Sequence, residues 1–446
     1  MIKAAACIAA ALLFCAQDCV AQKITYLPPK GKEVYIPRDL RDNDFTNEDS
    51  KWSYARMAYT KDVIVFWEKP FGNMLSKAPE LDGQNMKVDI NNLLQKLQIF
   101  YNYYKNNLGF IKPGSKADKY RMMVMLNYTL EGTAYGGDYD GTIGALWISP
   151  NRVQDLKLNC IAHELGHSFQ SQIGCDGEGE SWGGGGIFEM ASQWMLWQVN
   201  PQWTTDEHYH WKAFVENMHR RFLDVENIYH SPFVLEYWAM KRGNKVIADL
   251  FREGKKGEDP ASTYMKKFNL SVEDMSNEMV DCYSRLVSFD FPRVKNLHRK
   301  FIGDLVSNVN VEKKGKKQLI TPAEGKAPQT WGFNVVELEL PKDAKKFTLT
   351  FNGLNKDKNA EYKTCLVNID ASSNAHYSEV HTGASQSYNV KMEGKEYYLV
   401  IVGCPKNTYT PYTFNPYGEN SQKAEESTFP YEIVVKCRSF LTKNCS

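Results

Sequence analysis

The chain has 446 residues, a formal net charge of +1, 43% hydrophobic residues and 24% charged residues. That balance excludes a fully disordered or collagen-like chain, and a charge near zero with no basic stripe gives no electrostatic footprint for nucleic acid, so no such partner is expected. The length calls for two or three domains, and an aromatic content of 13% suits either a large core or sugar-facing surfaces.

Residues 1–21 read as an export signal. Lys3 supplies the positive start, Ala4 to Phe14 is apolar, and Cys19-Val20-Ala21 offers small residues for cleavage before Gln22. The run is too short for a permanent transmembrane helix, and no later segment is apolar enough for one. A lipid anchor at Cys15 is disfavoured by bulky Phe14. The expected location is therefore periplasmic, cell-surface or secreted. Seven cysteines remain after such cleavage (Cys160, Cys175, Cys282, Cys365, Cys404, Cys437 and Cys445), an odd number at spacings that match no cysteine-based zinc module.

Residues 22–85 alternate turn signals with short β-like runs, such as Asp62 to Trp67. From Val88 the pattern is helical: Ile90, Leu93, Leu94, Leu97, Phe100, Tyr101 and Tyr104 recur at three and four. Tyr120 to Tyr128 reads as a strand. A turn-rich stretch from Gly136 to Gly141 precedes a second strand, Ile143 to Ser149, and Pro150 opens a helix to about Ile173. A glycine-rich loop, Gly177 to Gly186, leads to a helix over Ile187 to Gln198. Further helices fill 208–290, one with a capping pattern at Ser271 and Asp274. After the basic stretch Lys313-Lys314-Gly315-Lys316-Lys317 the chain turns to short strands at Val335 to Leu340, Phe347 to Phe351, Cys365 to Ile369, Tyr397 to Val402 and Tyr431 to Val435, the pattern of a β-sandwich. The expected domains are 22–305 and 318–446, an α+β unit followed by an all-β unit.

The chemistry lies in His163-Glu164-Leu165-Gly166-His167, an HExxH motif. Positions four apart on a helix project the same way, so two neutral imidazoles can bind one Zn²⁺. Glu164 on the adjoining face can accept a proton from a water at the ion and pass it to a leaving amine. Ile161, Leu165 and Phe169 fall on the opposite side and can anchor the helix. By chance the motif should occur in about one chain of this length in a hundred. A catalytic zinc needs a third ligand and an open position. Gln170 and Ile173 exclude HExxHxxGxxH. Glu189, on the following helix with 21 residues between it and His167, fits best. Glu178 and Glu180 are rivals in the glycine-rich loop.

The pair HELGHSFQ and GIFEMASQW resembles the gluzincin zinc metallopeptidases, most closely the enhancin-like, mucin-degrading group and related uncharacterised secreted Bacteroidetes families. The resemblance covers roughly 140–200. It implies His163, His167 and Glu189 as ligands of one zinc ion and Glu164 as base. It also implies a zincin-like domain, a mixed sheet over a mainly helical lower part, ahead of the β-sandwich. Where some gluzincins carry an acidic residue four after the ligand glutamate, this chain has Gln193, which can still orient a histidine.

Secondary candidates are weaker. Ile143 to Ser149 could be an edge strand to which a substrate peptide adds, or an interior strand. Tyr229, His230 and Tyr237 are the candidates for stabilising a tetrahedral oxyanion. Cys160, one turn before His163, reads as an inert buried thiol rather than a fourth ligand. Asp138 and Asp140 read as a turn rather than a calcium site. Trp194 and Trp197 read as core. Tyr409, Tyr412 and Tyr417 could stack on sugars but suit packing on their own sandwich. The expected function is an exported zinc metallopeptidase acting on proteins or glycoproteins. The rival is a surface glycan- or glycoprotein-binding protein that binds through its tail, with a structural or relict metal site. A hydrolase of a non-peptide bond is a third option.

Overall fold

The computed structural model describes residues 25–438 except 181, 183–186, 316, 342–343 and 414–425. The export signal, Gly183 to Gly186, Tyr417 and Cys445 lie outside the described residues. The first layer is a mixed sheet of β1 (Met57–Tyr59), β2 (Val63–Trp67), β3 (Met122–Leu126), β4 (Ala134–Tyr139) and β5 (Ile143–Ile148), in the order β1-β2-β3-β5-β4. β2, β3 and β5 run parallel, with β1 and β4 antiparallel at the edges. VIVFW and MMVML are buried throughout, as strands covered on both faces must be.

Of the two alternatives for Ile143 to Ile148, the strand is interior, so it is not an edge for substrate. The edge is β4, whose glycines read as turn signals in the sequence. Gly136 is needed for close approach instead: a Cβ there would lie 1.9 Å from the Glu164 carbonyl oxygen.

Eleven helices occur among the described residues. α1 (Ile90–Asn106) starts where the Asp89 carboxylate accepts from the Asn91 and Asn92 amides. After the short α2 (Lys116–Lys119) comes the motif helix, α3 (Asn159–Cys175). α3 begins later than Pro150 suggests. Pro150–Arg152 is a separate 3-10 turn, and Leu158 is left-handed at φ 55°, which a right-handed helix cannot continue through. α4 (Phe188–Val199) packs against it, followed by α5 (Trp203–Asp206), α6 (His208–Asn217), α7 (Phe233–Arg242), α8 (Val246–Glu253), α9 (Pro260–Phe268), α10 (Val272–Leu286) and α11 (Lys295–His298). Ser271 and Asp274 form the capping box that the sequence indicates. No helix of the described residues is long and apolar enough to cross a membrane.

The basic stretch at 313–317, which reads as a boundary, is a hairpin. β6 (Val309–Lys314) pairs with β7 (Lys317–Pro322) across Gly315 at φ 61°. The later strands are β8 (Phe333–Glu337), β9 (Lys346–Gly353), β10 (Ala360–Ile369), β11 (Ala375–Tyr377), β12 (His381–Thr382), β13 (Ser385–Lys391), β14 (Glu396–Pro405) and β15 (Tyr431–Arg438). They form two sheets, β13-β9-β15-β7-β6 and β11-β10-β14-β8, with β12 on β10. Phe351 and Tyr431 of one and Tyr362 and Leu399 of the other share a buried cluster.

The outer face of the second sheet continues the core of the helical part: Val335, Val367 and Val400 join one cluster with Met279 and Tyr283 of α10. Tyr283 stacks on Phe333 at 3.9 Å and 11°. Its hydroxyl donates to the Trp331 carbonyl at 2.8 Å, and the Trp331 indole donates to Ser276 at 3.0 Å. Tyr409 and Tyr412 also lie at this junction. The Tyr409 hydroxyl donates to Oδ2 of buried Asp259, which also accepts from the Tyr412 amide at 2.8 Å. Arg221 lies 4.3 Å over the Tyr412 ring. These two tyrosines pack against the helical part.

A shared core implies shared unfolding. Calorimetry on the full chain is expected to give one cooperative transition, and Trp331→Ala to lower stability by about 3–5 kcal/mol. Two well-separated transitions, with Trp331→Ala shifting only the second, would contradict this.

Candidate metal centre

α3 presents three stripes, each with its own task. Ile161, Leu165 and Phe169 are fully buried. Phe169 sits edge-on to Tyr101 and Tyr104 of α1 at 5.1 and 5.4 Å, and the Tyr104 hydroxyl donates to the Ala162 carbonyl at 2.9 Å. Glu164, Ser168 and Gln172 face the sheet. Glu164 Oε2 accepts from the Gly136 amide at 2.9 Å, Ser168 donates to the Ala145 carbonyl at 2.7 Å, and Gln172 accepts from the Gly144 amide at 2.9 Å. His163, His167 and Gln170 form the third stripe and face α4. The two helices approach closely because position 166 is glycine; a Cβ there would lie 2.8 Å from Ser192 Oγ.

Across that contact Glu189 meets both histidines. Its Oε2 lies 3.0 Å from His163 Nε2 and 3.1 Å from His167 Nε2, and the two Nε2 atoms are 3.1 Å apart. These three residues are the group of potential metal donors found among the described residues. Burial acts to raise the Glu189 carboxyl, but the two histidines hold it well below the usual carboxylate range. Burial acts against charge on His167, yet Glu189 and then Glu164 leave that imidazole raised. Burial also raises Glu164, against the pull of the two histidines.

The outer nitrogens decide what the inner ones can do. His167 Nδ1 lies 3.1 Å from Gln170 Oε1, and the Gln170 amide nitrogen donates to the Phe188 carbonyl and Ser192 Oγ, both at 3.0 Å. His163 Nδ1 lies 3.1 Å from Gln193 Oε1, and the Gln193 nitrogen donates to the Tyr229 carbonyl at 3.0 Å. A carbonyl can only accept, so each amide has a fixed sense. Each histidine therefore carries a proton on Nδ1 and, in its neutral form, presents a bare Nε2. Two lone pairs and a carboxylate oxygen, all within about 3 Å, repel unless a cation lies among them. Edges of 3.0–3.1 Å are also close to those of a tetrahedron built on zinc bonds of about 2.0–2.1 Å. The donor set thus fits Zn²⁺ with three protein ligands.

The other candidates are placed elsewhere or differently. Glu178 pairs with Arg252 and Lys112, and Glu180 with Lys255. Cys160 is half-buried, and burial pushes its thiol up to about 11; it is not in the donor group. Asp138 accepts from the Gly141 amide at 2.7 Å in a tight turn, and Asp140 anchors Tyr35 and Arg38 at 2.7–2.9 Å. Trp194 and Trp197 are fully buried. Tyr237 is buried with its hydroxyl on Asp281 at 2.7 Å, so it does not reach the centre. The Tyr229 ring lies near-parallel to His163 at 6.3 Å, and His230 packs on His210. Gln170 and Gly136 are the functional positions that sequence reading did not assign. The one-turn spacing from His167 carries a signal for Gln170; the 28-residue separation from Glu164 carries none for Gly136.

Removing the Gln170 acceptor with Gln170→Leu is expected to weaken zinc binding by roughly 10–100-fold with the fold retained, read by chelator competition and circular dichroism. Unchanged affinity would contradict the assigned role.

Among solved structures, the catalytic module of the metalloprotease ZmpA from Clostridium perfringens is 11% identical, covering 77% of this chain and 68% of its own, with a TM-score of 0.36. The M60 catalytic domain of Clostridium perfringens ZmpC, solved in complex with the sialyl T antigen, is 13% identical over 79% of this chain and 66% of its own, with a TM-score of 0.32. Tripeptidyl peptidase 2 is 9% identical over 29% of this chain, which spans only 10% of that protein, with a TM-score of 0.21. Scores this low carry no argument about activity, which rests on the residues above. No curated protein matches the sequence. A family model described as "Family of unknown function (DUF6055)" matches residues 27–439, and the chain belongs to that family.

Proposed function

We propose that this protein is an exported zinc metallopeptidase that hydrolyses peptide bonds of extracellular proteins or glycoproteins. The observation that carries this reading is the convergence of His163 Nε2, His167 Nε2 and Glu189 Oε2, with Glu164 one residue along the same helix. The catalytic unit would be 22–305 and the tail, 318–446, an accessory unit. Zinc held by these three residues supplies a Lewis acid that polarises a carbonyl and makes water nucleophilic at neutral pH.

The chain's own groups do the remaining work. Gly136 holds Glu164 Oε2 through its amide, which leaves Oε1 to take the proton of the attacking water and return it to the departing amine. Burial raises the Glu164 carboxyl, which suits a group that must both accept and release a proton. The edge strand β4 offers backbone groups beside Glu164, so an extended peptide adding to it would lie across the base. Tyr135, 62% exposed on that strand, lies 5.6 Å from the Trp147 ring and gives the bound chain an aromatic shelf. Tyr229 stands beside His163 and is the candidate that could reach a developing oxyanion. The rival reading, glycan binding by the tail, loses Tyr409 and Tyr412, whose rings are engaged at the junction.

Zinc content by elemental analysis and cleavage of casein and mucin test the reading. Glu164→Gln is expected to keep its zinc and lose roughly 10²–10⁴-fold in kcat. Full cleavage by a folded Glu164→Gln protein would contradict the mechanism. Tyr135→Ala is expected to raise KM several-fold with kcat little changed; an unchanged KM would remove β4 from substrate binding.

A further inference from the structure

Behind Gln193 the hydrogen bonds continue into a second pair of histidines that the reaction itself does not use. The Gln193 nitrogen has two partners, the Tyr229 carbonyl at 3.0 Å and His210 Nε2 at 3.1 Å. The first fixes that end of the amide as the donor. His210 Nε2 must then offer a lone pair, which places the His210 proton on Nδ1. His210 Nδ1 lies 2.6 Å from His230 Nδ1. With His210 donating, His230 accepts there and carries its own proton on Nε2. Burial, then the facing His210 ring, pushes the His230 imidazole down to about 4, so it is neutral and has the lone pair this requires.

We infer that His210 is a positioning residue of the metal centre: protonated on Nδ1, it holds the Gln193 amide so that its oxygen keeps the His163 proton on Nδ1 and leaves Nε2 bare for the ion. This rests on the zinc reading above. One neighbour pulls the other way. Glu207 Oε2 is 3.4 Å from His210 Nε2 and would favour a proton there. Its oxygens already have donors, however: the Trp203 indole at 2.9 Å on Oε2 and the Asn159 amide at 2.9 Å on Oε1. A proton on His210 Nε2 would also set two donors against each other at Gln193. Freed from His210, the amide has one acceptor instead of two, and the His163 ring loses part of the constraint that points it at Glu189.

Two measurements on the full chain test this. Long-range proton–nitrogen correlation spectra of the zinc-loaded, histidine-labelled protein are expected to show Nδ1–H at His163 and His210 and Nε2–H at His230. Zinc affinity by chelator competition separates an acceptor role from simple packing. His210→Phe fills the space without an acceptor and is expected to bind zinc about tenfold more weakly. His210→Gln returns an oxygen near the Nε2 position and is expected to restore the affinity. Equal affinity in folded His210→Phe, or Nε2–H at His210 in the wild type, overturns the inference. If His210→Phe does not fold, the tautomer pattern decides alone. A wild-type chain without zinc affinity overturns the proposed function, and the tautomers are then read in the metal-free protein.

Discussion

Three lone pairs forced to within about 3 Å of one another are the constraint on which this molecule is built. Two neutral imidazole nitrogens and a carboxylate oxygen repel at this distance until a proton or a metal cation joins them, and this donor set fits zinc. Everything around them acts to hold that arrangement. α1 grips the apolar stripe of α3, and β4 and β5 grip its polar stripe through Glu164, Ser168 and Gln172. Gly166 lets α4 come close enough for Glu189 to reach both rings. The paired glutamines then set the tautomer of each histidine. A helix three residues out of register would break all of these contacts together.

The legible part of the site is the part with a local period. His163 and His167 are one turn apart, and Ile161, Leu165 and Phe169 mark the buried side, so the sequence assigns α3 its faces. Glu189 is legible because it opens an apolar helix, where an unpaired charge is costly. The parts that escape sequence reading depend on contacts distant in the chain. Gly136 looks like a turn residue because its reason for being glycine is the Glu164 carbonyl, 28 positions away. His210 and His230 carry no spacing that ties them to Gln193. The start of α3 is misplaced because Pro150 is a sound helix opener locally, and only the left-handed Leu158 shows that the path breaks.

The tail shows the same division. Its strands are readable from alternation and turn residues, and five of them fall where apolar runs place them. The hairpin of β6 and β7 is hidden because its strands are mostly polar and exposed, with four lysines between positions 313 and 317, a composition that resembles a linker. Nor does alternation indicate that the second sheet has two buried faces, one toward its partner sheet and one toward α10. That double burial is why Tyr283, Phe333 and Trp331 stack and bond across what looks in sequence like a domain boundary. The tail is therefore part of the support of the helical layer that carries the site.

The most direct test of the central claim is the zinc dissociation constant of Glu189→Ala beside that of the wild type, with folding verified by circular dichroism. The account predicts one tightly held ion in the wild type and a loss in the variant larger than the roughly 10–100-fold typical of a missing outer partner. Equal affinity in a folded Glu189→Ala protein would contradict it.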